Sequence, residues 1–134
     1  MYALSARLEA ESSDDVIIGT ILVCDGDASM LFDPGSTYSY VSSYFAPYLV
    51  MPSEGLSIPV YVSIPVGDFI VVDRVHHSCV VVFRGLETRV DLLLLDMVDF
   101  DVILGMDWLS TYDAILDCHA KTVTVALPNL PHLE

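Results

Sequence analysis

The stretch Leu31-Phe32-Asp33-Pro34-Gly35-Ser36-Thr37 sets an acid at the end of an apolar run and follows it with a glycine and two hydroxyl side chains. A carboxylate in that position sits at the rim of a core. Backbone N–H groups and hydroxyls there can fix its orientation and protonation state, as general acid–base chemistry requires. The same string also reads as an ordinary turn, with Pro34 setting φ and Gly35 supplying a positive φ. Farther along, Phe100-Asp101-Val102-Ile103-Leu104-Gly105-Met106-Asp107-Trp108-Leu109 is an apolar strand, a glycine that lets backbones approach closely, and a helix start. Taken alone, it is core.

Other groupings carry less. His76, His77, His119 and His132 come without a Gly-x-Ser-x-Gly elbow, which argues against a serine hydrolase. Asp96, Asp99, Asp101 and Asp107 lack the Asp-x-Asp-x-Asp-Gly order of a calcium loop and read as solvated loop charge, so neither metal nor cofactor is expected. No Gly-x-x-x-x-Gly-Lys phosphate loop occurs. Cys24, Cys79 and Cys118 are an odd number, far apart and without a Cys-x-x-Cys pair, and read as buried thiols of a reducing compartment. Adjacent His76 and His77 should alternate across a strand, and Trp108 should anchor a core.

The elements that must position these residues are mostly strands. Val16 to Val23 is rich in β-branched residues, is followed by Asp25-Gly26-Asp27 and leads into Ser29 to Phe32, which predicts a hairpin with an Asp-Gly turn. Similar runs span Ser57 to Ile64, Phe69 to Val72, Ser78 to Phe83 and Arg89 to Leu95, giving a small, mostly antiparallel β fold. A short helix is predicted over Met106 to Tyr112, with Asp107 suited to its positive end. A weaker helix candidate covers Ser39 to Tyr48, and Ala114 to Asp117 with Thr122 to Leu127 form a closing hairpin. The 134 residues fit one domain, here 16–127, preceded by an arm or linker at 1–15 and followed by a tail at 128–134. With 54% apolar residues the chain can build a core. Its net charge of −14 opposes nucleic-acid binding, and acids interrupt every apolar stretch short of a membrane span.

The two segments mean more together. The chain resembles the retroviral-type (retropepsin-like) aspartic proteases, particularly those of plant gypsy-class retrotransposon polyproteins. That pattern is an apolar strand, Asp-Thr/Ser-Gly-Ala/Ser, a flap hairpin, then two apolar residues and Gly opening a helix. It maps onto Leu31 to Ser36, the Ile64 to Phe69 region, and Ile103-Leu104-Gly105 before Met106-Asp107-Trp108-Leu109. The resemblance implies a mainly β fold: a closed β barrel with one short C-terminal helix, forming half of a two-fold enzyme. It also implies a homodimer that cuts an extended polypeptide substrate. Two carboxylates a few ångström apart share one proton, so one acts as acid and the other as base on a single water, and each chain supplies only one.

By the same resemblance Asp33 is the catalytic carboxylate, within the active-site loop Pro34, Gly35, Ser36 and Thr37. Gly35 lets that loop turn beside its symmetry mate, and the Ser36 hydroxyl can bond the carboxylate. Val66, Gly67 and Asp68 form the flap tip, while Ile103, Leu104 and Gly105 support the Asp33 loop from beneath. A cytoplasmic location follows, including one inside a virus-like particle as part of a polyprotein. The sequence departs from the pattern at Pro34, where the family has Thr or Ser. Proline has neither the hydroxyl nor the amide that helps lock the two loops across the axis. Two outcomes are open: a weak enzyme, or a protease-like module that dimerises or binds peptide without cutting it.

Overall fold

A computed structural model describes residues 17–63, 69–117 and 119–125. The predicted arm 1–15, the tail 128–134 and the flap-tip residues Val66, Gly67 and Asp68 lie outside them. Nine strands and one helix follow in order: β1 (Ile17–Val23), β2 (Gly26–Phe32), β3 (Ser39–Ser42), β4 (Glu54–Ser63), β5 (Phe69–Phe83), β6 (Leu86–Leu95), β7 (Val102–Leu104), α1 (Met106–Thr111), β8 (Ile115–Asp117) and β9 (Thr122–Thr124). The fold is retropepsin-like and mainly β, with one short α-helix among the described residues. Seven strands pair in the order β1-β2-β7-β3-β6-β5-β4, and β1 also meets β5 at Leu22–Val82 and Val23–Val81. That last contact brings the sheet back onto itself as a barrel. No helix among the described residues is long and apolar enough to cross a membrane.

The central strands are apolar on both faces because each separates two clusters. Met30 and Phe32 of β2, Val41 of β3, Leu92 of β6, and Val102 and Leu104 of β7 join Trp108 in one. Leu31, Tyr40, Leu93 and Ile103 from the same strands join Val62 and Val72 of the β4–β5 hairpin in the other. Strands covered on both sides read as continuous hydrophobic runs rather than alternating ones, as Val102-Ile103-Leu104 does. Trp108 is fully buried, and its indole N–H donates to Thr88 Oγ1 at 2.9 Å, which satisfies the one polar atom it brings inside.

Four local expectations change. The first turn is Cys24-Asp25, at φ 49° and 69°, and Gly26 begins β2 opposite Val23. Both turn residues take the left-handed conformation that matches strand twist, and Asp tolerates it. The helix candidate at Ser39–Tyr48 is strand β3 followed by a 3₁₀ turn at Ala46–Tyr48, where Pro47 fits the first turn. All four residues of β3 are buried between β6 and β7, so pairing across the sheet outweighs local propensity. Phe69–Val72 and Ser78–Phe83 are one strand, β5. It bends at Ser78 (φ 53°), where the register to β6 shifts between His76 and Cys79. The helix ends at Thr111 with Tyr112 as its cap. The predicted alternation at the bend is observed: His76 is buried with Nδ1 3.2 Å from the Met51 carbonyl, and His77 is exposed between Glu54 and Asp91.

Candidate active site

β2 runs parallel to β7 with Leu31 opposite Ile103 and Phe32 opposite Leu104. The pairing continues one step past the strand, since the Asp33 N–H donates to the Leu104 carbonyl at 2.9 Å. Asp33 is only 2% exposed. Alternation puts its side chain on the side of Leu31, toward the β4–β5 hairpin. The Ser36 N–H closes a turn onto the Asp33 carbonyl at 3.0 Å, and the Gly35 N–H donates to Asp33 Oδ1 at 3.0 Å. Among the described residues the positive-φ glycine is Gly85, so this turn forms without a left-handed Gly35. Pro34 occupies the second position of the turn, where its fixed φ fits and no N–H is used. Pro34, Gly35 and Thr37 are exposed above the buried carboxylate.

The second segment grips this loop from below. The Met106 N–H donates to the Ser36 carbonyl at 2.7 Å, and the Asp107 N–H donates to the Thr37 carbonyl at 3.1 Å. A Cβ on Gly105 would lie 2.2 Å from the Tyr38 carbonyl oxygen and 2.6 Å from that of Ser36. Only glycine fits between them. The Ser36 hydroxyl donates to the Tyr38 carbonyl at 2.9 Å. Leu104 and Gly105 therefore lie directly against the loop that carries Asp33, brought there by the parallel β2–β7 contact, while Ile103 pairs with Leu31 just before it.

Asp107 and Ser39 complete the arrangement. The Ser39 hydroxyl donates to Asp107 Oδ1 at 2.5 Å and accepts the Gly105 N–H at 2.9 Å. The Ser39 N–H donates to Asp107 Oδ2 at 3.2 Å, and the Trp108 N–H to Oδ1 at 2.7 Å. Burial raises the Asp107 pKa; these bonds pull it back, with the Ser39 hydroxyl foremost. Sequence reasoning treated Asp107 as a helix-end charge and gave Ser39 no role. The available signal was a carboxylate two residues after the glycine, within reach of whatever packs there. Tyr40 was missed too. Its hydroxyl pKa is raised by burial and partly restored by a hydrogen bond with Ser36. With Thr37, Tyr38, Val60 and Val62 it lines a cavity of about 130 Å³ between the loop and the end of β4 in the β4–β5 hairpin. Among the described residues, no group of three or more His, Cys, Asp or Glu side chains is placed to hold a metal ion.

This buried strand-end carboxylate, held by a second apolar-apolar-Gly segment, agrees with what family comparison finds. A retroviral aspartyl protease family model matches residues 1–129, so the chain belongs to that family. Among solved structures, the retroviral protease-like domain of Ddi1 from Leishmania major is similar at a TM-score of 0.58 and 11% identity, covering 86% of this chain and 90% of that one. EIAV protease, in complex with the inhibitor HBY-793, is similar at a TM-score of 0.55 and 18% identity, over 69% and 84% of the two chains. At these identities the likeness concerns the fold. Among curated protein sequences, none matches the chain.

Proposed function

We propose that the chain is an aspartic endopeptidase that hydrolyses peptide bonds in a retrotransposon polyprotein, of the plant gypsy class by resemblance, working as a homodimer with Asp33 from each subunit. The observation that carries this reading is the buried Asp33 carboxylate under an exposed Pro34-Gly35 turn. A two-fold mate approaching that turn would bring a second Asp33 close to the first. The pair would hold one proton between them and titrate as a unit. The ionised member takes a proton from water as it attacks the peptide carbonyl, and the protonated member gives its proton to the carbonyl oxygen. The carboxyl protonated in that step then gives its proton to the nitrogen while the other carboxylate takes one from the resulting diol, and the C–N bond breaks to release acid and amine. Substrate would lie extended, with Tyr40, Val60 and Val62 around one side-chain pocket.

Pro34 fits the turn within one chain, so its cost falls on the dimer. A cross-axis hydrogen bond lost on each side weakens association by about 1 kcal/mol per bond. A cytoplasmic setting, with the chain concentrated inside an assembling particle, would offset that loss. The same residue motivates the second reading, a protease-like module that dimerises or holds peptide without cleaving it. Cleavage of a polyprotein-derived peptide at mildly acidic pH separates the two. The enzyme reading expects turnover by the parent chain and none by Asp33→Asn, and equal rates remove it. Activity that appears only after Pro34→Thr establishes the module.

A further inference from the structure

A second cavity lies away from Asp33. It has a volume of about 510 Å³ and runs beside β1, between Ile17–Leu22, Met30 and Phe32, the Val82–Arg84 segment and Lys121–Val123. Met30 and Phe32 belong to the cluster opposite that of Leu31, so this cleft and the Asp33 pocket lie on different sides of β2. Three observations bear on what it holds. β1 is paired with β2 along its whole length, but β5 reaches only Leu22 and Val23 on the other edge. Among the described residues, Ile17 to Ile21 therefore has no strand partner on that edge. The two-residue turn at Cys24-Asp25 makes Val23–Gly26 a hydrogen-bonded pair, and strict alternation from there turns the N–H and C=O of Thr20 and Ile18 outward. Both residues are exposed, and nothing lies within 4 Å of where a Cβ on Gly19 would be. Finally, two of the chain's five basic residues, Arg84 and Lys121, line this cleft on a molecule of net charge −14.

We propose that the free edge of β1 and its cleft dock an extended acidic polypeptide segment, which adds to the sheet as a further strand. Main-chain groups at two-residue spacing select an extended peptide over a compact small molecule, because each outward N–H and C=O finds its complement there. Alternate side chains of such a segment would meet the apolar wall formed by Ile17, Ile21, Met30 and Phe32. Arg84 and Lys121 favour carboxylates on the rest, with Asp27 the opposing charge in the lining. The site is independent of the Asp33 chemistry and stands whether or not the chain cuts peptides.

The test is an NMR titration of the ¹⁵N-labelled full chain with an acetylated peptide alternating Glu and Val, its Lys–Val counterpart, and decanoate. The proposal expects saturable amide shifts centred on Ile18 and Thr20 with the acidic peptide, and none there with the basic one. Thr20→Pro removes one outward donor where an edge strand tolerates proline, and should raise Kd by about tenfold. Arg84→Glu with Lys121→Glu should do the same without touching the strand. No saturation by about 1 mM, equal binding of the basic peptide, shifts centred on the Asp33 loop, or full binding by Thr20→Pro would each overturn it. Decanoate competing for the cleft with an affinity unaffected by Thr20→Pro, while the peptide fails to bind, would assign a lipid site in its place.

Discussion

Asp33 and Asp107 are both acids withdrawn from water, but they are satisfied differently. Asp107 takes its hydrogen bonds from Ser39 and Trp108, whereas Asp33 accepts the Gly35 N–H of its own turn, whose outer residues are exposed. Because burial raises the Asp107 pKa, the folded chain binds that proton more tightly than the unfolded chain does. The associated stability is fully present below the ordinary value of 3.8 and is lost as pH rises through the raised value. Asp107→Asn should flatten this part of the stability curve. Urea midpoints for parent and variant at stepped pH check it, and parallel curves would rule out titration of Asp107. Cys79 makes a second residue-level test. Burial, followed by the nearby Cys24, pushes its thiol up to about 12, so it stays protonated at neutral pH. Iodoacetamide should modify the partly exposed Cys24 before Cys79 and reach Cys79 only on unfolding, which peptide mass mapping will show.

Among the elements, the parallel β2–β7 contact does most to build the site, and Gly105 is its tightest point. In Gly105→Ala the new methyl must displace the backbone at Tyr38 and Ser36. The variant should lose about 3 kcal/mol in urea unfolding, together with any cleavage activity, because the same carbonyls position the Asp33 loop. A loss below about 0.5 kcal/mol would mean the loop moves aside freely. Asp33 and Gly105 stood out in the sequence, but residue type and neighbours alone left them as a turn and a core strand end. Only the resemblance joined them, and the parallel β2–β7 register is what brings the two segments together. β3 was not legible, since Ser39-Tyr40-Val41-Ser42 becomes a strand through β6 and β7, which lie far away in sequence. The unity of β5 was hidden by its polar middle, Asp73 to Ser78, where the bend turns His77 and Ser78 outward. The Ser39–Asp107 bonds join residues separated by 68 positions, and no local pattern announces them. Val66, Gly67 and Asp68 fall outside the described residues, so the flap tip rests on the resemblance alone.

For the whole molecule, the proposed homodimer makes charge and symmetry decide whether a site forms. Each subunit carries −14, so two subunits repel at low ionic strength, where the Debye length reaches about 30 Å at 0.01 M against about 10 Å at 0.1 M. Sedimentation should therefore show association strengthening as salt is added, and an association constant independent of salt would discount the repulsion. In the proposed dimer, Pro34→Thr would restore a hydroxyl and an amide on each side of the axis. At about 1 kcal/mol per bond, two such bonds tighten the dimer roughly thirtyfold. An unchanged dissociation constant would place residue 34 away from the contact. The most direct measurement mixes parent chain with Asp33→Asn at fixed total concentration, under conditions where the dimer is saturated, and follows the initial rate of peptide cleavage. If both carboxylates of one site are needed, mixed dimers are silent and the rate falls as the square of the parent fraction. A rate falling in simple proportion to that fraction would show that one Asp33 suffices, contradicting a shared site.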